Sequence, residues 1–246
     1  MVCFTVDWED NRPRRARQAG RSAGSAGREV GGGIDFSTNV RIKLPAVRKG
    51  EATRQAILDH AMVLARQIGL DALTIGRLAD DLDLSKSGLF AHFQSKEALQ
   101  VQVLDAAAER FIATVIRPAL EVRRGEPRLR DLFDRWLDWE GRQRTPGGCI
   151  FVQASVELDD REGPARDRLV QLQKDWLEVM ATTVRGAIRE RHFRRSVDPE
   201  QFAHDLNGIM LAYHHAARLL KDRAAEQRAR TAFEGLVRAA RSSRRS

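Results

Sequence analysis

The stretch "LSKSGLFAHFQSKEAL", Leu84–Leu99, holds two helix starts, each opened by a serine, Ser85 and Ser95. From Leu84 to Phe93 it carries one formal charge, Lys86. Leu89 and Phe93 are spaced for the buried face of a short helix. That leaves Lys86, Ser87, Gly88, Ala91 and His92 on the other side. Immediately upstream, "TIGRLADDL" opens with Thr74 as an N-cap and offers Ile75, Leu78, Ala79 and Leu82 for burial. Two short helices thus flank a turn of three residues, Asp83–Ser85. Such a pair is either a packed connector or a helix presented to a groove.

Composition narrows the choice. The 246 residues are 42% hydrophobic and 31% charged, enough to bury a core. Helix formers dominate, and one Tyr among 6% aromatics argues against a β-sandwich. No apolar run approaches the ~20 residues of a membrane span, and "MVCFTVDWED" lacks the apolar core of a signal peptide. Cys3 and Cys149 suggest no disulfide framework, so a cytoplasmic protein is expected.

The net charge of +8 sits in the tails. Residues 1–50 hold ten Lys/Arg against five Asp/Glu, and residues 223–246 hold seven Arg against two Glu. Segment 51–96 has five positive and six negative residues, so charge alone does not nominate the opening stretch. Residues 1–47, rich in Arg, Gly, Ser and Ala, read as a disordered basic extension, either an arm for DNA phosphates or a dispensable leader.

From Arg48 onward the chain reads as all-α, with about nine helices. The first carries Ile57, Ala61, Leu64 or Ala65, and Ile68, and Gly69 stops it. The fourth starts at Ser95 and is kinked or ended by Pro118. Others fall near 128–143, 149–158, 165–192, 198–221 and 225–241. Asp198, Pro199 and Gln201 mark the eighth as capped, with Gln201 placed for a capping box. The expected organisation is 1–47 extension, 48–95 three-helix domain, 96–241 larger helical domain and 242–246 basic tail.

A short helix, a three-residue turn and a second short helix with a polar face form the helix-turn-helix pattern. Leu78, Ala79 and Leu82 would pack on Leu84, Leu89 and Phe93, fixing the angle between the helices. Small residues on the remaining face let backbone approach DNA closely, while Ser, Lys and His donate to base edges or phosphates.

The run "TRQAILDHAMVLARQIGLDALTIGRLADDLDLSKSGLFAHFQSKEAL" resembles the DNA-binding domain of the TetR family of transcriptional repressors. The resemblance implies three DNA-binding helices and six forming a ligand-binding and dimerisation domain. It also implies a homodimer released from a pseudo-palindromic operator on double-stranded DNA by a small-molecule effector. Carried over residue by residue, Thr74 would touch a phosphate, and Ser85, Lys86, Ser87 and Gly88 open the recognition helix. Phe90 and His92 lie further along it, and Lys96, with Arg54, would hold neighbouring phosphates. Two positions depart from the family pattern: Asp83 stands where Gly is usual, and Phe90 where Tyr is usual.

In the larger domain Trp136, Trp139, Phe151, Trp176, Met210 and Tyr213 either line a ligand pocket or simply fill the core. Leu206, Ile209, Phe233 and Leu236, with Met210 and Tyr213, are expected as exposed residues of a four-helix dimer seam. Cys149 at a helix start is a candidate thiolate or a buried small residue. Glu157, Asp159, Asp160 and Glu162 read as a solvated loop. His204, His214 and His215 match no zinc spacing, so no metal is expected, and no cofactor. There is no phosphate-binding Gly loop and no nucleophile elbow, so an enzyme is not expected. The alternative reading is a helical small-molecule or protein-binding module without DNA function.

Overall fold

Side-chain caps and apolar spacing set the helix boundaries. The computed structural model describes residues 51–141 and 147–242, all within one compact unit. The basic extension, residues 142–146 and the last four residues lie outside the described residues. Among the described residues nine helical rods follow one another: α1 (Glu51–Ile68), α2 (Ile75–Leu82), α3 (Lys86–Phe93) and α4 (Lys96–Phe111, continued by Ile112–Ile116 and Arg117–Glu121). After these come α5 (Glu126–Gly141), α6 (Ile150–Glu157), α7 (Pro164–Arg189), α8 (Pro199–Arg218) and α9 (Ala225–Ala240). Among the described residues there is no strand, only an isolated antiparallel bridge between Phe193 and Arg241.

Pro118 neither ends nor sharply interrupts α4. The rod widens to a π turn over Ile112–Ile116 and then resumes its α form, with proline in the first positions of the last segment. Proline supplies no N–H to the turn before it, and a widened turn accommodates that loss within a continuous helix. At α8, Asp198 accepts from the backbone N–H of Glu200 at 2.9 Å and of Gln201 at 3.1 Å. The reciprocal arm of the expected capping box is not made, because the Gln201 amide donates to Asp205 instead.

α1 and α4 pack together and carry α2 and α3 at one end, with Ile57, Leu78, Leu89, Phe93 and Leu99 fully buried. At eight residues, α2 and α3 are too short to hold helical form alone. Burying Leu89 and Phe93 stabilises α3 by about 1.5–3 kcal/mol each. The second core lies among α4, α5, α7, α8 and α9, with Leu104, Leu129, Phe133, Met180, Val184 and Leu206 inside.

Candidate nucleic-acid interface

The helix pair at 74–93 is built from its caps. Thr74 is extended (φ −130°), and its hydroxyl accepts from the Arg77 N–H at 3.1 Å. α2 ends at Asp83, which takes the left-handed conformation (φ 54°) where the resembling family has glycine. Aspartate tolerates that conformation better than most residues, so the turn closes without glycine. Ser85 caps α3 by accepting from the Gly88 N–H at 3.2 Å. A β-carbon on Gly88 would lie 2.9 Å from the Ser85 hydroxyl, so glycine there leaves the cap its room.

Leu89 and Phe93 point inward, and Ser85, Lys86, Ser87, Gly88, Phe90, Ala91 and His92 are exposed. Phe90 is 58% exposed, a large apolar ring held in water among Ser87, Gly88 and Ala91, with Lys86 and His92 on the same face. Two acids of α2 beside this face are paired within the chain. Asp81 pairs with His60 of α1, and Asp80 lies 3.7 Å from Lys86.

Lys96 sits in the first turn of α4, at the edge of the same face, and is half-buried. Its ammonium is 3.1 Å from Oδ1 of Asp71, in the turn between α1 and α2. The other Asp71 oxygen accepts from Arg161, beyond α6. Arg54 donates to Gln102 of α4 and remains exposed. Asp71 therefore ties Lys96 to the turn that leads into Thr74 and α2.

The larger helical part divides the six nominated aromatic and Met positions into separate groups. Phe111 of α4 meets Trp139 at 5.2 Å, Trp176 at 5.0 Å and Phe151 at 6.1 Å, all edge to face. Trp136 meets Tyr213 at 5.7 Å. Trp136, Trp139, Trp176, Met210 and Tyr213 are buried, and Phe151 is half-buried.

Next to the Phe111 group lies a polar cluster that sequence spacing does not announce. Glu140, 1% exposed, accepts through Oε1 from His214 Nδ1 at 2.7 Å and faces Arg218 Nε at 3.5 Å. Its Oε2 accepts no hydrogen bond among the described residues. Arg66, at the end of α1, donates through Nε to the Gly148 carbonyl at 2.6 Å, and its guanidinium lies over the Trp139 ring. Burial pulls the Arg66 pKa below its usual value, against the raising influence of Cys149 and Glu140. Gly147 has φ +98°, and a β-carbon there would sit 1.7 Å from the Arg66 carbonyl oxygen, so the loop touches α1 backbone to backbone.

Cys149 is buried, and its thiol is pushed up to about 11 by desolvation and then by the Glu140 charge. The helix start at Ile150 lowers it less than burial raises it, so of the two readings the buried small residue holds and the thiolate does not. Glu157 is not simply part of a solvated loop either, since its Oε2 accepts from the Asp71 backbone N–H at 2.8 Å.

The expected dimer seam needs a similar correction. Leu206, Met210, Tyr213 and Phe233 are buried inside the single chain, Phe233 stacked on Phe133 at 4.2 Å, so they are not exposed. Ile209 and Leu236 remain half-open. They line a groove between α8 and α9 whose floor is small (Gly208, Ala212, Ala216, Ala229 and Ala232), with Asp205 and Arg228 also on it. Among the described residues no group of three or more His, Cys, Asp or Glu is arranged to hold a metal, and no helix is long and apolar enough to cross a membrane.

Residues 57–103 match the family model for bacterial regulatory proteins of the tetR family, and residues 125–233 match that for the tetracyclin repressor-like C-terminal domain. The chain is 26% identical over 160 residues to the HTH-type transcriptional repressor BdcR of Escherichia coli, covering 65% of this chain and 77% of that protein. Its fold is similar to that of a TetR-family regulator from Cytophaga hutchinsonii. The TM-score is 0.70 at 17% identity, over 81% of this chain and 100% of the other. It is similar also to AibR, solved with isovaleryl coenzyme A and operator DNA (TM-score 0.60, 21% identity, 76% of this chain and 97% of the other). Two family models in tandem, the capped helix-turn-helix and the six following rods agree: the chain belongs to the TetR family of transcriptional regulators.

Proposed function

We propose that this regulator is a cytoplasmic, non-catalytic homodimeric repressor, with 48–95 as its DNA-binding domain and 96–241 as its ligand-binding and dimerisation domain. The observation that carries the DNA reading is the exposed α3 face, Ser85 to Gly88 with Phe90 and His92, held between the Thr74 cap and Lys96. The capping hydroxyls of Thr74 and Ser85 accept from backbone and keep an O–H to donate to a phosphate or base edge. Two copies joined through the α8–α9 groove would set two recognition helices about one DNA turn, ~34–36 Å, apart on a pseudo-palindrome.

The effector would enter among the aromatic rings of the larger domain, next to the buried Glu140 carboxylate. A ligand with a hydrogen-bond donor or a positive charge would satisfy the bare Oε2. Arg66 joins this cluster to α1, so a ligand preferring one arrangement of the cluster would shift DNA affinity. AibR, of the same fold, is seen with both a small molecule and operator DNA.

Genome-wide recovery of DNA bound to the protein, followed by fluorescence anisotropy on the recovered duplexes, tests the reading. Salt-dependent binding to a pseudo-palindrome supports it. No binding at any salt would favour the helical binding module without DNA function.

A further inference from the structure

Three bonds fix Asp71 in the turn after α1: one comes from α4, one from the last residue of α6 and one from the segment beyond it. Asp71 gives one carboxylate oxygen to Lys96 and the other to Arg161, while its backbone N–H is held by Glu157. Gly69 brings the turn against the same glutamate. It has φ +93°, and a β-carbon there would lie 2.8 Å from Glu157 Oε1.

An ammonium has three donors, so Lys96 can keep Asp71 and still offer two N–H groups to a phosphate. The arrangement has an electrostatic cost. A carboxylate this close to the nucleic-acid face repels phosphate unless its charge is balanced, and Arg161 balances it. Hydrogen bonding by Lys96, and further by Arg161, holds the Asp71 carboxyl below the usual carboxylate range.

We propose that Asp71 is a positioning residue for the Lys96 phosphate contact, and that Arg161, from the larger domain, sets how well it performs. With Arg161 in place, Asp71 aims Lys96 and its negative charge is neutralised. With Arg161 withdrawn, the same carboxylate competes with the phosphate for Lys96 and repels the backbone. The short helix α6 carries the effect, because Phe151 in its first turn meets Phe111 while Glu157, its last residue, holds the Asp71 turn. A displacement at Phe151 would therefore reach the Asp71 turn along α6, beside the path through α4, which carries both Phe111 and Lys96.

This inference rests on Lys96 contacting phosphate, and the experiment separates the two. A labelled duplex of about 30 base pairs of arbitrary sequence suffices at low salt, because phosphate contacts are independent of sequence. Dissociation constants and salt slopes are measured for the wild type, Lys96→Ala, Arg161→Ala, Arg161→Lys, Asp71→Asn and the Arg161→Ala/Asp71→Asn double variant, each first checked for an unchanged thermal transition. Arg161→Ala is expected to weaken binding about five-fold, within the usual range for coupled sites. Arg161→Lys should restore most of the loss, and Arg161→Ala should have no further effect once Asp71→Asn is present.

Equal weakening by Arg161→Ala with and without Asp71→Asn overturns the proposal, because Arg161 would then touch DNA itself. If Lys96→Ala weakens binding and Arg161→Ala does not, the inference alone fails. If Lys96→Ala changes neither affinity nor salt slope, the phosphate contact and the inference fail together.

Discussion

Leu206 and Ile209 lie three positions apart on α8 and meet different surroundings: Leu206 is sealed inside its own chain, whereas Ile209 opens onto the groove beside α9. The two should therefore fail in different ways. Ile209→Glu places a charge in the groove and is expected to yield folded monomers by light scattering, with the thermal transition of a single chain. Leu206→Ala leaves a cavity and should cost about 2–5 kcal/mol in chemical denaturation while the surviving folded protein still dimerises. A monomeric Leu206→Ala protein of full stability would contradict the burial seen here.

Affinity and sequence preference should separate along the nucleic-acid face. On a duplex recovered from the genome, Lys96→Ala is expected to weaken matched and mismatched duplexes alike and to reduce the salt slope by about one. Ser87→Ala and His92→Ala, on the exposed side of α3, should change the ranking of duplexes by about 1–3 kcal/mol at particular base pairs while leaving the slope in place. Anisotropy titrations on a panel of single-base variants would read both quantities.

The Cys149 thiol should be inert in the folded protein. In a Cys3→Ser background, a thiol reagent at pH 8 is expected to modify native protein only at the rate of unfolding, and denatured protein at once. Raised above its ordinary value of 9.0, this thiol contributes stability that is complete below pH 9 and is lost as pH climbs towards about 11. Cys149→Ala should therefore flatten the alkaline limb of the stability profile. Rapid native labelling would show that the site opens.

Glu126 opens α5 and is held by Arg241 and Arg130. The hydrogen bonds from Arg241, more than those from Arg130, depress its carboxyl below the ordinary 4.5. The sign follows: its contribution is present above the ordinary value and disappears as pH falls through the lower, folded one. Glu126→Gln should cost about 1 kcal/mol at pH 7, the scale of a partly shielded ion pair, and progressively less as pH falls below the ordinary carboxylate value. Calorimetry of both proteins from pH 7 downward decides it.

Gly147→Ala should be among the most damaging single substitutions in the described residues. The added carbon would overlap the Arg66 carbonyl, at a φ that side chains rarely adopt. A loss of about 3 kcal/mol or more in urea titration is expected, the cost of overpacking together with backbone strain.

Much of the fold is legible from short-range chemistry. Thr74, Ser85, Ser95 and Asp198 are polar residues just before apolar periodic runs, and each caps the helix it was expected to cap. The exposed face of α3 follows from the four-residue spacing of Leu89 and Phe93. What periodicity could not supply was the partner of each apolar face. Leu206 and Ile209 look alike in sequence, and only the packing of α7 and α9 against α8 decides which of them the chain covers itself.

Longer-range polar contacts were equally hidden. Asp71 and Arg161, or Arg66 and Gly148, are far apart along the chain and share no local pattern. The Cys149 expectation weighed one local influence, the helix start, against a burial that only the assembled core reveals.

The glycine at 147 also determines how motion can pass between α1 and the larger helical part. Most interdomain contacts run through side chains, and a side chain can change rotamer and absorb a shift of a few tenths of an ångström. Here main chain rests directly on main chain, pinned beside it by the Arg66–Gly148 hydrogen bond. Such a joint has little compliance: no side chain stands between Gly147 and the end of α1 to absorb a shift, and a close-packed interior offers no slack in which to lose it.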